Sequence, residues 1–234
     1  MTVKRLLDIV VGSFLLVLVL PICLPVMAVL AVTGEREIFY AQRRIGLGGR
    51  RFSLLKFATM LKNSPNMGTG TVTVAGDPRV LPVGRFLRKT KINELPQIWN
   101  VLRGDMTLVG PRPLAQQDFD CYPPEAQEKV VQARPGLTGL GSVVFRDEEA
   151  WLARSELPPL EAYRKEIAPY KGRLECWYVD HRSLWLDFKL LLLTVIVVLL
   201  PESRWYRKWL ADLPEPPSGG LSLDRCPSGA NHPE

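Results

Sequence analysis

The chain has 234 residues, enough for one packed domain with small additional segments and too few for two ordinary domains with separate cores. Its formal net charge of +6 favours a polyanionic partner, such as a nucleotide diphosphate, an anionic lipid or nucleic acid. The basic residues adjoin apolar segments, which indicates a lipid headgroup surface and argues against nucleic acid. These basic residues are Arg43, Arg44, Arg50 and Arg51, then Arg204, Arg207 and Lys208.

The four cysteines, Cys23, Cys121, Cys176 and Cys226, are widely scattered along the chain. No two of them have the C-x-x-C spacing that is typical of a zinc site or a redox pair. They are expected to be reduced thiols on the cytosolic side of a membrane, and Cys23 and Cys176 to be small packing residues.

A run without charged residues extends from Ile9 to Val32, and as a helix it is long enough to cross the hydrocarbon core of about 30 Å. It is too long for the apolar region of a signal peptide and lacks a small-x-small cleavage site, so it is expected to be retained. Pro21 and Pro25 each remove a backbone donor in mid-run and predict a bend. Because basic residues flank both ends, charge and proline alone leave two alternatives: a re-entrant helix that returns to the same side, or a kinked single-pass helix.

The next segments alternate between extended and loop patterns. Ile38 to Phe57 mixes β-forming residues with turn glycines and predicts a strand or hairpin around Gly46. Residues 61 to 78 are rich in Asn, Gly, Thr and Pro and predict a loop. From Glu94 the apolar residues follow helical spacing as far as Gly104, with Asn93 as the expected N-cap.

The C-terminal third is predicted to be helical over residues 147 to 168 and from Leu186 to Leu200. Only 11 residues of the second helix, Leu190 to Leu200, lack charge, and tryptophans surround it, so it is placed at the membrane interface or against the core. The tail from Pro214 to Glu234 is expected to be disordered.

The densest cluster of candidate functional residues precedes the helix that is predicted from Glu94. Arg85, Arg88, Lys89 and Lys91 lead into the N-terminus of that helix, whose free N–H groups favour anions, so the site suits a diphosphate. Glu94 on the first turn has two interpretations. It is either a ligand of Mg²⁺, which prefers one or two carboxylates plus substrate phosphates, or an acid placed by the helix dipole alone.

Two later turns each carry a basic residue. In Gly110-Pro-Arg-Pro113, two prolines restrain the backbone around Arg112, which suits bidentate phosphate contact; an exposed arginine in a simple turn is the alternative. Arg134-Pro-Gly-Leu-Thr-Gly139 is a second such turn, followed closely by Arg146. His181 is interpreted as a surface residue without a catalytic role.

The order of these motifs resembles that of the bacterial sugar transferases, the monotopic phosphoglycosyl transferases, over roughly residues 3 to 200. The resemblance is to the small form, a catalytic domain without extra membrane helices. The matching segments are Gln42-Arg-Arg-Ile-Gly46, Lys56-Phe-Ala-Thr-Met60, Arg88-Lys-Thr-Lys-Ile-Asn-Glu-Leu-Pro-Gln97, Gly104-Asp-Met106, Gly110-Pro-Arg-Pro113, Arg134-Pro-Gly-Leu-Thr-Gly139 and Ser183-Leu-Trp-Leu-Asp187.

The resemblance implies transfer of a sugar 1-phosphate from a UDP-sugar to undecaprenyl phosphate with Mg²⁺, the first membrane step of a surface glycan. It also implies a re-entrant helix. In the family pattern an aspartate attacks the β-phosphate and the next residue, a glutamate that Glu94 matches, serves the metal site. Asn93 stands in place of that aspartate, and a carboxamide is a poor nucleophile. Direct displacement, Glu94 as the nucleophile, and an inactive or trapped form therefore remain open. Leu20 and Ala58 replace a Ser and an Arg of the pattern.

The sequence thus predicts a mostly helical α/β domain, monotopic and membrane-associated, on the cytoplasmic face of the bacterial inner membrane. Residues 1–33 form a bent re-entrant helix, 34–200 the catalytic domain, and 201–234 an interfacial helix and a disordered tail. The expected partners are a UDP-sugar, undecaprenyl phosphate and anionic lipid, and a homodimer is left open. The candidate site has Asn93 and Glu94 as catalytic residues, Glu94 as the Mg²⁺ ligand, and Lys56, Arg88, Arg112 and Arg146 as phosphate-binding residues. The alternative is a scaffold without turnover.

Overall fold

The computed structural model of the chain is mostly helical and describes residues 2–67, 73, 76–146, 148–152, 154–200, 205–210 and 212–215. The first half contains α1 (Val3–Val32), β1 (Phe39–Ile45), β2 (Arg51–Phe57), α2 (Pro82–Lys89), α3 (Gln97–Arg103) and β3 (Thr107–Val109). The second half contains α4 (Gln116–Phe119), α5 (Pro124–Val130), β4 (Gly136–Thr138), α6 (Leu140–Val144), α7 (Glu148–Leu152), α8 (Pro159–Ala162), α9 (Ala168–His181), α10 (Leu184–Leu199) and α11 (Trp205–Trp209).

Helix α1 is the membrane-length helix that the apolar run predicts, and it continues through Pro21 and Pro25. Its outward face is apolar and exposed, as at Phe14, Val17 and Leu18. Exposed apolar side chains of this size are unusual over a whole helix of a soluble domain, so this face indicates contact with lipid.

Hydrogen bonds of the charged side chains Lys4 and Asp8 hold the N-terminal end of α1 against the globular part of the structure. Lys4 Nζ donates to Asp187 Oδ2 at 2.7 Å and to the carbonyl of Val109 at 2.8 Å. Asp8, 3% exposed, accepts from the Thr107 hydroxyl and from the Leu108 N–H. Because each of these partners lies in the interior of the fold, the start of α1 is a packed part of the globular domain.

The C-terminal end of α1 packs on the same globular part. Leu30 is 2% exposed and forms a second apolar cluster with Phe57 of β2 and Leu87 of α2. Met27 and Cys23, one and two turns earlier, pack against that cluster. Both ends of the membrane-length helix therefore contact one domain.

Two small sheets position the loops of the site. The predicted hairpin is confirmed: β1 and β2 pair antiparallel, from Phe39 opposite Phe57 to Ile45 opposite Arg51. Strands β3 and β4 pair parallel, which brings the segment after Val109 beside the Arg134 to Gly139 segment. A Cβ at Gly139 would lie 2.0 Å from the Gly110 carbonyl oxygen, so these two turns approach more closely than any side chain permits.

The predicted helix at Glu94 begins later than expected. Ile92–Glu94 form a single 3-10 turn, and α3 starts at Gln97 with Pro96 as its N-cap. The chain enters the turn through Lys91, whose φ of 60° is left-handed, and Pro96 supplies no N–H. The prediction that Asn93 caps a helix is therefore wrong.

The predicted C-terminal helices are confirmed in outline. The 147 to 168 stretch is broken into α7, α8 and a π-helical turn at Tyr163–Ile167, which runs directly into α9. Residues 184 to 199 form α10, as predicted, and its exposed Trp185 and Phe188 stack on each other. Most of the predicted disordered tail, Cys226, Arg204, Asp147 and part of the predicted 61 to 78 loop lie outside the described residues.

Candidate active site

A cavity of about 420 Å³ opens between β1, β2, the Ile92–Glu94 turn and the segment after β3. This volume is within the range of small-molecule sites. Seven of the described residues that line it are cations: Arg44, Lys56, Lys62, Arg88, Lys91, Arg112 and Lys171. Five other described residues of the cavity wall are acids: Glu35, Glu37, Glu94, Asp118 and Glu148. The surplus of positive charge suits an anionic ligand.

Lys56 lies on β2 with its side chain half-buried in this cavity. Burial and the neighbouring Arg44 lower the pKa of its ammonium to about 7, although Glu94 opposes the change. A bound phosphate would favour the charged form of Lys56, so this residue can respond to a diphosphate by taking up a proton.

Glu94 and Arg112 form the ion pair at the centre of the cavity, with Arg112 Nη2 3.5 Å from Glu94 Oε1. Burial disfavours the charged carboxylate, but attraction by Arg112, Lys56 and Lys91 outweighs burial and lowers the Glu94 pKa to about 2. Glu94 is therefore ionised at neutral pH and can bind a cation.

Asn93 lies beside Glu94 on the same 3-10 turn and lines the cavity. Its side chain is 5% exposed, and among the described residues its Oδ1 has no hydrogen-bond partner. A buried carbonyl oxygen without a partner costs about 1–3 kcal/mol. Since the oxygen caps no helix, the local fold supplies no partner for it among the described residues.

Arg44 lines the cavity, so its predicted place on a lipid headgroup surface is wrong. Its guanidinium is held by Asp118 at 3.4 Å, by the Pro113 carbonyl at 3.3 Å and by Gln42 at 2.6 Å. In the sequence, only the Gln42-Arg-Arg-Ile-Gly46 motif linked Arg44 to the candidate site. Side chains alternate along a strand, so Gln42 and Arg44 lie on the same face of β1.

Of the other two predicted phosphate-binding residues, Arg88 lines the cavity and Arg146 does not. Arg88, at the end of α2, lines the cavity and lies 3.7 Å from the Met60 sulfur. Arg146 is half-buried after α6 and is not among the described residues that line the cavity. Five of the six predicted site residues thus share one cavity, and a phosphate-binding role for Arg146 stays a prediction.

Asn100, which has no distinguishing sequence signal within its helix, joins the two elements that carry the candidate site. It lies on α3 and is 2% exposed. Its Oδ1 accepts from the Leu55 N–H at 2.9 Å, and its Nδ2 donates to the Ser53 carbonyl at 2.8 Å. Both partners belong to β2, so Asn100 fixes the strand of Lys56 against the helix that follows Glu94.

The model of the family described as bacterial sugar transferase matches residues 1–201. An uncharacterized sugar transferase of Bacillus subtilis, EpsL, is 36% identical over 202 residues, which cover 86% of this chain and 90% of that protein. The UDP-glucose:undecaprenyl-phosphate glucose-1-phosphate transferase of Caulobacter vibrioides is 37% identical over 206 residues, which cover 86% of this chain and 72% of that protein.

Some relatives are much longer than this chain. The UDP-galactose-lipid carrier transferase of Erwinia amylovora is 33% identical over 216 residues, which cover 86% of this chain but only 41% of the Erwinia protein. The similarity therefore covers the membrane-length helix and the cavity, and more than half of the Erwinia protein lies outside the aligned region.

Proposed function

The chain belongs to the bacterial sugar transferase family, and we propose that it transfers a sugar 1-phosphate from a UDP-sugar to undecaprenyl phosphate, releasing UMP. The observation that carries this proposal is the shared cavity of Lys56, Arg88, Asn93, Glu94 and Arg112. The excess of cationic over acidic side chains in this cavity suits a diphosphate. The membrane-length helix packs against β2 and α2, so a lipid substrate could reach the cavity from the membrane.

The reaction requires one bond to form and one to break at the β-phosphorus. An oxygen of the polyprenyl phosphate forms the new bond to phosphorus, and the bond to the oxygen bridging the α-phosphate breaks, so that UMP leaves with the electron pair. Catalysis of phosphoryl transfer depends mostly on positioning the two substrates and on stabilising the negative charge that is spread over the phosphoryl oxygens in the transition state. Lys56, Arg44 and Arg112 have the charge and placement for both tasks.

The residues of the site fit a magnesium ion. Mg²⁺ binds through one or two protein oxygens together with substrate phosphates, and Glu94 supplies an ionised carboxylate in the cavity. The unpartnered Oδ1 of Asn93 is a second hard oxygen on the same turn. When bound, the ion would neutralise charge on the phosphates. No group of three or more His, Cys, Asp or Glu suited to a metal occurs within the described part of the chain, so substrate oxygens would complete the shell.

Asn93 favours a second candidate function, a membrane-bound scaffold that binds the sugar nucleotide or lipid phosphate without turnover. A carboxamide lacks the negative charge and the nucleophilicity that a two-step covalent route requires. We propose that the chain is a transferase with reduced turnover, because the cations and Glu94 still line one cavity.

The proposed reaction is tested with purified protein in nanodiscs. A panel of radiolabelled UDP-sugars is incubated with undecaprenyl phosphate and Mg²⁺, and label that becomes extractable into organic solvent is counted. Wild type and Asn93→Asp are run side by side, with Lys56→Met/Arg112→Ala as the inactive control. Lipid-linked label from one UDP-sugar supports the proposal. Absence of label with both proteins, over the whole panel, would contradict it.

The two anchored ends of α1 support the re-entrant topology, with both ends on one side of the membrane, and the basic residues flanking α1 favour the cytoplasmic face of the inner membrane. Lys4 and Asp8 near one end, and Leu30 at the other, contact the same domain. A straight single-pass helix would separate its two ends by the thickness of the bilayer. The shared docking surface is therefore better explained by a helix that enters and leaves one leaflet.

Cysteine labelling in spheroplasts tests this topology in a background without native cysteines. Thr2→Cys and Glu37→Cys are exposed positions on either side of α1. Both are expected to be protected from a membrane-impermeant maleimide in intact spheroplasts and labelled after permeabilisation. Labelling of only one of them in intact spheroplasts would establish a spanning helix.

A further inference from the structure

Glu175 is a buried carboxyl group behind the active-site cavity. It lies on α9, is 1% exposed, and its Oε1 accepts a hydrogen bond from the backbone N–H of Arg112 at 3.2 Å. A Cβ at Gly141 would lie 2.4 Å from that same oxygen, so the absence of a side chain at Gly141 leaves room for the carboxyl group. The contact links α9 directly to the segment that carries the Arg112 guanidinium.

The contact matters because of the two prolines around Arg112. Proline has no N–H, so between Pro111 and Pro113 the only backbone donor is that of Arg112, and Glu175 accepts from it. The two flanking carbonyls are also held: Pro111 accepts from the Gly136 N–H and Pro113 from Arg44. Glu175 therefore completes the fixation of this turn through its backbone.

The other carboxyl oxygen of Glu175, Oε2, is buried and lacks a hydrogen-bond partner among the described residues. Glu175 and Tyr122 line a cavity of about 20 Å³ together with Arg112, which is enough space for one water molecule. Burial raises the pKa of Glu175 to about 7, while the Arg112 N–H and Lys171 oppose this shift.

We propose that Glu175 is a positioning residue, which orients Arg112 through its backbone so that the guanidinium meets the diphosphate of the UDP-sugar. Arg112 has a single side-chain ion pair among the described residues, that with Glu94 at 3.5 Å, so its direction depends on the backbone from which it projects. A small displacement of a phosphate-binding arginine has large effects on binding and transfer. This inference rests on the proposed function, because it assumes that the cavity binds UDP.

The test measures UDP affinity by calorimetry on the full chain in nanodiscs, and so does not depend on turnover. Glu175→Gln retains an oxygen that accepts the Arg112 N–H and is expected to bind UDP within about twofold of wild type. Glu175→Leu removes the acceptor and is expected to raise the Kd at least about tenfold. Glu166→Gln, a half-buried carboxyl one element earlier that accepts from Ser155, is the matched control and is expected to leave the Kd unchanged.

A double-mutant cycle separates positioning from general stability. In an Arg112→Ala background, Glu175→Leu is expected to add less than a twofold change, because its effect acts through the missing side chain. If Glu175→Leu fails to fold, Glu175→Asp, whose shorter side chain cannot reach Arg112, is compared with Glu175→Gln.

The outcomes distinguish the inference from the function on which it rests. Wild type that does not bind UDP overturns the proposed function and the inference together. Wild type that binds UDP, with Glu175→Leu or Glu175→Asp binding equally well, overturns the inference alone. An equal loss of affinity with and without Arg112 would make Glu175 a structural residue only, and would also overturn it.

Discussion

Asn93→Asp is expected to raise turnover of the UDP-sugar by at least about a thousandfold over wild type. The new carboxylate has the size of the carboxamide it replaces, so the fold has no reason to change. It would lie in a cavity whose cations, Lys56 and Lys91 among them, favour the charged form. The carboxylate adds both a nucleophile at the β-phosphorus and a negative charge for Mg²⁺.

Release of labelled UMP and formation of lipid-linked label measure this effect, and Asn93→Ser is the control. The serine variant also removes the carboxamide but adds no carboxylate, so it is expected to stay at the level of wild type or below. A variant Asn93→Asp that is slower than a clearly active wild type would overturn the prediction and make Asn93 a working part of a different mechanism.

Kinetic patterns identify that mechanism if wild type turns over. Direct displacement requires both substrates to be bound together, so initial-rate plots should intersect and no phospho-sugar should remain on the protein. With Glu94 as the nucleophile, ping-pong kinetics and a mass increase of one sugar phosphate are expected after incubation with UDP-sugar alone. The low pKa of Glu94 keeps it ionised but also reflects its pairing with Arg112, which opposes attack.

Glu94→Gln is expected to abolish most turnover, by about a thousandfold, in whichever parent is active, wild type or Asn93→Asp. Loss of the carboxylate removes the charged ligand for Mg²⁺ and leaves Arg112 without its ion pair, so both charge balance and geometry at the phosphates are lost. The shape of the side chain is conserved, so thermal unfolding should change little.

The control for this variant is Glu37→Gln. Glu37 also lines the cavity, but it pairs with the exposed Lys62, and an exposed pair contributes little. Its replacement is expected to change turnover less than about threefold. Near-native activity of Glu94→Gln would remove Glu94 from the metal site and assign it to the structure of the turn.

The motifs predicted which residues form the site better than they predicted how the site is built. Lys56, Arg88, Asn93, Glu94 and Arg112 were all selected from sequence, and the structure brings them together. Charged residues near glycines and prolines are a signal of substrate contact that can be read locally, because the fold itself gains little from placing them there.

The supporting residues could not be selected in this way. Glu175 is a single carboxyl in a helix, and its sequence separation from Arg112, 63 residues, gives no local pattern. Asn100 likewise reads as an ordinary helical residue until β2 is placed beside it. Arg44 was assigned to a lipid surface because its neighbours in sequence are basic, whereas its neighbours in space are Asp118 and Gln42.

Local sequence patterns were enough to predict the membrane-length helix, the β1–β2 hairpin, a helix from Leu186 to Leu200 and the departure at Asn93. Each of these depends on periodicity, turn chemistry or residue type within a few positions, which the chain carries locally. Three features follow from packing alone: Asn93 lines a cavity instead of capping a helix, both ends of α1 contact one domain, and Glu175 accepts from the Arg112 N–H. These depend on contacts between residues far apart in sequence, which form only when the elements pack together and whose partners no local pattern specifies.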